Sequence, residues 1–154
     1  LIEPFSAAFL DNRIFAQRGG GAELGRMKIN EITGVIIDAS LMIHRNLGPG
    51  LLESVYQRIL VHELEKRGLK VESEVPIPVA WDGIRMEVGF RADLIVEGLL
   101  IIELKSLEAT APVHRKQVLT YLKLTGLPVG LLINFGEVLL KNGIHRLANA
   151  NLEP

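Results

Sequence analysis

Phe90-Arg91-Ala92-Asp93-Leu94-Ile95-Val96-Glu97-Gly98-Leu99-Leu100-Ile101-Ile102-Glu103-Leu104-Lys105 is the stretch that decides the fold. Residues 99–102 form an apolar run far too short to span a membrane and suited to a buried strand. Glu103 and Lys105 continue that strand, and their spacing of two puts both side chains on one face. A carboxylate and an ammonium at the end of a buried strand are costly unless something compensates them. Asp93 lies on the preceding strand, and the face it presents depends on the hairpin register. A three-residue loop at Glu97-Gly98-Leu99, with Gly98 left-handed, sets Asp93 opposite Glu103. A two-residue loop sets it opposite Ile102, on the wrong face. In the first register two carboxylates and a lysine converge within roughly 5 Å. With a backbone carbonyl nearby, such a set suits Mg²⁺ or Mn²⁺, and the lysine can orient or help deprotonate a water on the ion. The alternative is a buried Asp–Lys–Glu network that only supports the sheet.

Outward from this hairpin the periods alternate. Val71, Ser73, Val75, Ile77 and Val79 read as a strand, and Pro76 and Pro78 mark it as an edge or bulged one. Trp81-Asp82-Gly83-Ile84 signals a tight hairpin, with a return strand over 84–90, a separate strand over 92–96 and Trp81 expected in the core. Pro112 opens a helix that runs to about Thr125 and stops at Gly126. Residues 127–135 are apolar on both faces and read as a central strand. Lys141-Asn142-Gly143-Ile144 turns into a last short strand or helix. On the N-terminal side, Asn30 reads as a helix cap. Ile32, Val35, Ile36, Ala39, Met42 and Ile43 follow it at helical spacing, and Gly48-Pro49-Gly50 ends the helix. A second helix spans about 52–67, with Gly68 as its stop. The pattern predicts an α/β fold, a mixed sheet flanked by helices. Residues 1–26 lack a sustained period, carry Gly19-Gly20-Gly21 and precede Met27. They are expected to be an upstream or non-native leader, partly disordered, before a single domain over 27–154.

The chain has 154 residues, 48% apolar and 23% charged, a globular composition of one-domain size. It has no cysteine, which excludes disulfide frameworks, zinc ribbons and cysteine nucleophiles. With no membrane-length apolar run, a cytoplasmic location is expected. Lys plus Arg is 17 against 18 Asp plus Glu, so this is no sequence-independent polycation. Yet no acidic residue falls between Glu108 and Glu137, where His114, Arg115, Lys116 and Lys123 lie. That gap is either a phosphate-facing surface or a solvated helix face. Gln117 and Tyr121, four apart, share a face of the Pro112 helix, which can return over the sheet toward the carboxylates. Glu53 falls in the first turn of the second helix, where a carboxylate also favours the helix dipole. Aromatics are only 5%, too few for a multi-base stacking platform. His44 reads as a cap or core contact, His62 and His145 as surface residues.

Gly50, Glu53 and Tyr56, then Asp93, Glu103-Leu104-Lys105, the Gln117…Tyr121 pair and the tail Leu131-Leu132-Ile133-Asn134-Phe135 occur in an order that resembles the GxxExxY family. That family is a branch of the PD-(D/E)xK nuclease superfamily, and the resemblance covers about residues 28–148. It implies a restriction-endonuclease-like fold. It implies that Asp93, Glu103 and the Leu104 carbonyl ligate Mg²⁺ or Mn²⁺, and that Lys105 positions the attacking water. Glu53 matches an acidic residue on the helix before the sheet, and Gln117 and Tyr121 a motif that braces the site and meets phosphate. Tyr56, His114, Arg115 and Lys116 are then expected on the substrate side. Asp93 follows Ala92 rather than the family's proline. The implied activity is metal-dependent phosphodiester hydrolysis, with DNA as partner and no membrane; the sequence leaves the oligomeric state open, a homodimer being one arrangement that would cut both strands. The competing reading is a catalytically silent nucleic-acid-binding or scaffold domain that keeps the fold.

Overall fold

A computed structural model describes residues 22–152. The elements are α1 (Ala22–Leu47), α2 (Glu53–Lys66), β1 (Val71–Trp81), β2 (Ile84–Val96), β3 (Leu100–Lys105), α3 (Pro112–Thr125), β4 (Val129–Asn134), a 3-10 turn (Leu140–Asn142) and β5 (Ile144–Ala148). The strands form one sheet in the order β1-β2-β3-β4-β5. Its pairings are antiparallel except β3 with β4, which run parallel. Parallel neighbours need a crossover, and α3 supplies it. The fold is therefore α/β with a mixed sheet, as the alternating periods predicted.

Helices cover both faces. Ile32, Ile36 and Ile43 of α1 and Tyr56, Leu60 and Leu64 of α2 pack on Leu94, Leu100, Ile102, Leu104, Leu131 and Ile133. On the other face Val118, Tyr121 and Leu122 of α3 pack on Ile77, Ile95, Ile101 and Leu132. β3 and β4 are buried on both sides and hold the core, each large apolar side chain contributing roughly 1.5–3 kcal/mol. Within β3 the alternation sends Leu100, Ile102 and Leu104 toward α1 and α2 and Ile101 toward α3. Glu103 and Lys105, in step with Ile101, fall on the α3 side.

β2 is less regular. Leu94 and Val96 belong to the α1/α2 cluster, whereas Ala92 and Phe90 belong to the α3 cluster. Alternate residues of a regular strand share one face, so β2 changes face between Leu94 and Ala92. β1 changes face at the matching point, with Val71 on one side and Val75 and Ile77 on the other. Glu74 lies between them at φ 51°.

Several sequence expectations need correcting. α1 starts at Ala22 and runs unbroken through Met27, because helix-forming Glu23, Leu24, Met27 and Lys28 extend it. Asn30 is thus inside the helix, its Oδ1 accepting from Arg146 at 3.1 Å, and residues 1–21 lie outside the described residues. Residues 84–96 form one strand, not two. The expected break at Arg91 lies beside the change of face between Ala92 and Leu94, which interrupts the two-residue period. Trp81 is 47% exposed at the tip of the β1–β2 ribbon, beyond the reach of either core. His145 is half-buried beside Leu132 of β4. The prolines were informative, since β1 is both an edge strand and irregular.

Candidate active site

The β2–β3 hairpin sets the site. Its ladder pairs Val96↔Leu100, Ile95↔Ile101 and Leu94↔Ile102, leaving a three-residue loop at Glu97-Gly98-Leu99. Gly98 has φ 61° and Glu97 φ 53°, and the Leu99 N–H closes the turn on the Val96 carbonyl at 3.0 Å. This register places Asp93 opposite Glu103. The next rung is made by a side chain: the Leu104 N–H donates to Asp93 Oδ2 at 2.8 Å. The carboxylate thus replaces a backbone carbonyl where β2 changes face.

Glu103 is buried, with 8% of its side chain exposed. Lys105 Nζ lies 3.5 Å from its Oε1, and Oε2 is buried without a hydrogen-bond partner. A buried carboxylate oxygen left bare is expensive, so this position is unsatisfied as it stands. Burial pushes the Glu103 carboxyl up to about 7; the Asp93 charge adds to the rise and Lys105 opposes it. Asp93 is pushed up to about 6, again first by burial. The Leu104 hydrogen bond pulls it back, while the Glu53 and Glu74 charges raise it. Two facing carboxylates, both held above the ordinary carboxylate range by burial, form a site short of positive charge.

The helices bring the remaining parts. Glu53, half-buried in the first turn of α2, acts electrostatically on both Asp93 and Glu103. On α3, Gln117 lies beside the Tyr121 hydroxyl, and the ring stacks on Phe90 at 3.8 Å. Burial and then the Glu103 and Asp93 charges push the phenol up to about 12, so it keeps its proton at neutral pH. A cavity of about 500 Å³ adjoins Glu53, lined by Gly50, Leu51, Leu52, Ser106 and Leu107 among others. Its walls are tied: Ser106 Oγ donates to the Leu51 carbonyl at 2.7 Å. Buried Asn134, beside Lys105 in the sheet, accepts from the Leu107 N–H at 2.9 Å and donates to its carbonyl at 3.0 Å.

A family model of the PD-(D/E)XK nuclease superfamily matches residues 30–147. The chain belongs to that superfamily. No curated protein and no solved structure matches it. The five-stranded mixed sheet flanked by helices fits the restriction-endonuclease-like fold expected of a PD-(D/E)XK protein. Among the described residues no helix is long and apolar enough to cross a membrane. Nor do three or more His, Asp or Glu side chains among them form a ready-made metal cage. The ligand set expected from the sequence is leaner, two carboxylates and one backbone carbonyl. The bare Glu103 Oε2 beside Asp93 fits a cation there.

In this PD-(D/E)XK chain, Asp93, Glu103, Leu104, Lys105, Glu53, Gln117 and Tyr121 gather at one end of the sheet. Others of the expected set do not. Tyr56 is fully buried, stacked on Phe135, its hydroxyl donating to the Gly48 carbonyl and accepting from the Leu51 N–H. The expected substrate contact is therefore corrected to a clamp on the loop that leads into Glu53. Gly50 in that loop has φ 106°, open to glycine. His114 spends Nδ1 accepting the Ala111 N–H at 3.0 Å, at the start of α3. Arg115 and Lys116 are exposed. The Arg115 charge is felt at His145, whose pKa is lowered by burial and then by Arg115. His44 is a core contact, its Nε2 at 2.8 Å from the Glu137 carbonyl. Sequence reading missed Gln57 and Glu74, which lie against Asp93. Gln57 carried a signal, standing four residues after Glu53 and so on the same helix face. Glu74 carried none, because an unbroken register from the Trp81↔Ile84 turn puts Glu72 opposite Asp93.

Proposed function

We propose that the chain is a divalent-metal-dependent nuclease of the GxxExxY branch, hydrolysing phosphodiester bonds in DNA. The observation that carries this reading is the buried Glu103 carboxylate, with Oε2 unpartnered, facing Asp93 beside Lys105. A group built only to support the sheet has no reason to keep an oxygen bare. Asp93, Glu103 and the Leu104 carbonyl would hold Mg²⁺ or Mn²⁺. Such an ion, when bound, supplies Lewis acidity and lowers the pKa of a water.

The chain's own residues do the rest. Lys105 Nζ, 20% exposed on its side chain, stands at the boundary between the carboxylates and solvent. There it orients a nucleophilic water and offsets negative charge developing on the phosphate. Tyr121 keeps its proton and can donate to a phosphate oxygen, with Gln117 beside the hydroxyl. Glu53 adds a carboxylate to the wall of the adjoining cavity. The test is cleavage of labelled single-stranded, duplex and branched DNA with Mg²⁺, Mn²⁺ or EDTA, the wild type beside Lys105→Ala. Cutting that needs metal and disappears in the variant is expected. An intact substrate panel, from protein that binds DNA, would favour the silent binding domain.

A further inference from the structure

Among the described residues three that are not glycine have positive φ: Glu74 at 51°, Asp82 at 46° and Glu97 at 53°. Asp82 and Glu97 sit in the two hairpin turns, which demand such a conformation. Glu74 lies inside β1 with no turn to make. It stands between the pairs Ser73↔Leu94 and Val75↔Ala92, opposite Asp93. At this point both strands exchange faces, and the Asp93 carboxylate swings onto the Leu104 N–H at 2.8 Å. Glu74 is also tethered. Its Oε1 accepts from Gln57 Nε2 at 2.7 Å, and the same Nε2 lies 3.4 Å from the Asp93 backbone carbonyl. Gln57 follows Glu53 by four residues on α2. One helix, two strands and the strained residue therefore meet at Asp93.

We infer that Glu74 and Gln57 are positioning residues that lock the Asp93 carboxylate in the orientation needed to ligate a divalent cation, an inference that rests on the metal-dependent reading above. Backbone strain kept where no turn requires it marks a functional constraint. A purely structural role at φ 51° is met better by glycine, which adopts that conformation freely. Glutamate offers what glycine lacks, an acceptor for Gln57.

The test compares the full-length wild type with Glu74→Gly, Glu74→Gln and Gln57→Ala. It reads melting temperature, Leu104 amide hydrogen exchange by NMR in metal-free protein, and Mn²⁺ affinity by calorimetry. Glu74→Gly should melt at or above the wild-type temperature, since glycine relieves the strain. Its Leu104 amide should exchange about tenfold faster, because Asp93 no longer holds it. Mn²⁺ affinity should fall about tenfold, the usual effect of losing a group that orients a ligand. Glu74→Gln keeps an acceptor for Gln57 and should stay near wild type in both readouts. Gln57→Ala should reproduce the faster Leu104 exchange. Wild-type Leu104 exchange and Mn²⁺ affinity in Glu74→Gly would overturn the inference. So would a Glu74→Gln variant as impaired as Glu74→Gly, which would mean that the charge acts directly. A wild type that binds no Mn²⁺ would sink the metal-dependent reading itself, while Leu104 exchange would still decide whether the tether holds Asp93.

Discussion

The chain has two tyrosines, one on each side of the sheet, and each stacks flat on a phenylalanine. Tyr56 lies over Phe135 with ring centroids 4.5 Å apart; Tyr121 lies over Phe90 at 3.8 Å. Their hydroxyls differ. On the α1/α2 side Tyr56 is sealed, with both capacities of its oxygen spent on the backbone of Gly48 and Leu51. On the α3 side Tyr121 meets Gln117 and feels the Glu103 and Asp93 charges. One face has its polar atoms consumed in holding the loop before Glu53. The other leaves Glu103 Oε2 bare. In the proposed nuclease, stability is concentrated on the first face and chemistry on the second, and substitutions should separate the two.

The largest effect is expected on the chemical side. Lys105→Ala should lower turnover roughly 10²–10³-fold, about 3–4 kcal/mol of transition-state stabilisation, while circular dichroism remains native. An active variant would remove Lys105 from the mechanism. Hydroxyl deletion then sharpens the contrast between the tyrosines. Tyr56→Phe leaves the Leu51 N–H and Gly48 carbonyl unsatisfied and should cost about 1–3 kcal/mol, read as a lower melting temperature. Tyr121→Phe should leave melting almost unchanged and reduce cleavage about tenfold, or about 1.4 kcal/mol in the barrier. Equal effects of the two changes on both readouts would erase the distinction between the faces.

Much of this arrangement was legible in the sequence, for identifiable reasons. Period-two spacing put Glu103 and Lys105 on one face, and Gly98 made the three-residue loop possible, so Asp93 could be matched to Glu103. Pro112 and Gly126 bracketed α3 because both act locally. What depended on distant pairing was hidden. The shift between Ile77 and Val79 moved Glu74 opposite Asp93, and the change of face between Ala92 and Leu94 made residues 84–96 look like two strands. Trp81 looked like core by its chemistry, but the β1–β2 ribbon carries it past the helices. Tyr56 was recognised as part of a signature, while its role depended on a loop backbone that no sequence pattern displays.

A smaller effect concerns pH. Asp93 and Glu103 are raised to about 6 and about 7 in the folded protein, so folding favours their protonated forms. Their contribution to metal-free stability is fully present below the ordinary carboxylate range and is lost as pH rises through these values. Glu103→Gln should therefore raise the metal-free melting temperature by roughly a few degrees at pH 8 and hardly at all at pH 4. A variant that melts lower than wild type at pH 8 would show that the ionised carboxylate supports the fold.

If the bare carboxylate on the α3 face is a divalent-cation site, the folded protein must bind such an ion through Glu103. Calorimetric titration of Mn²⁺ into wild type and Glu103→Gln at pH 8 tests it most directly. Saturable binding by the wild type, at least about tenfold weaker in the variant, is the predicted result. No binding by folded wild type, or equal binding by both proteins, would contradict it.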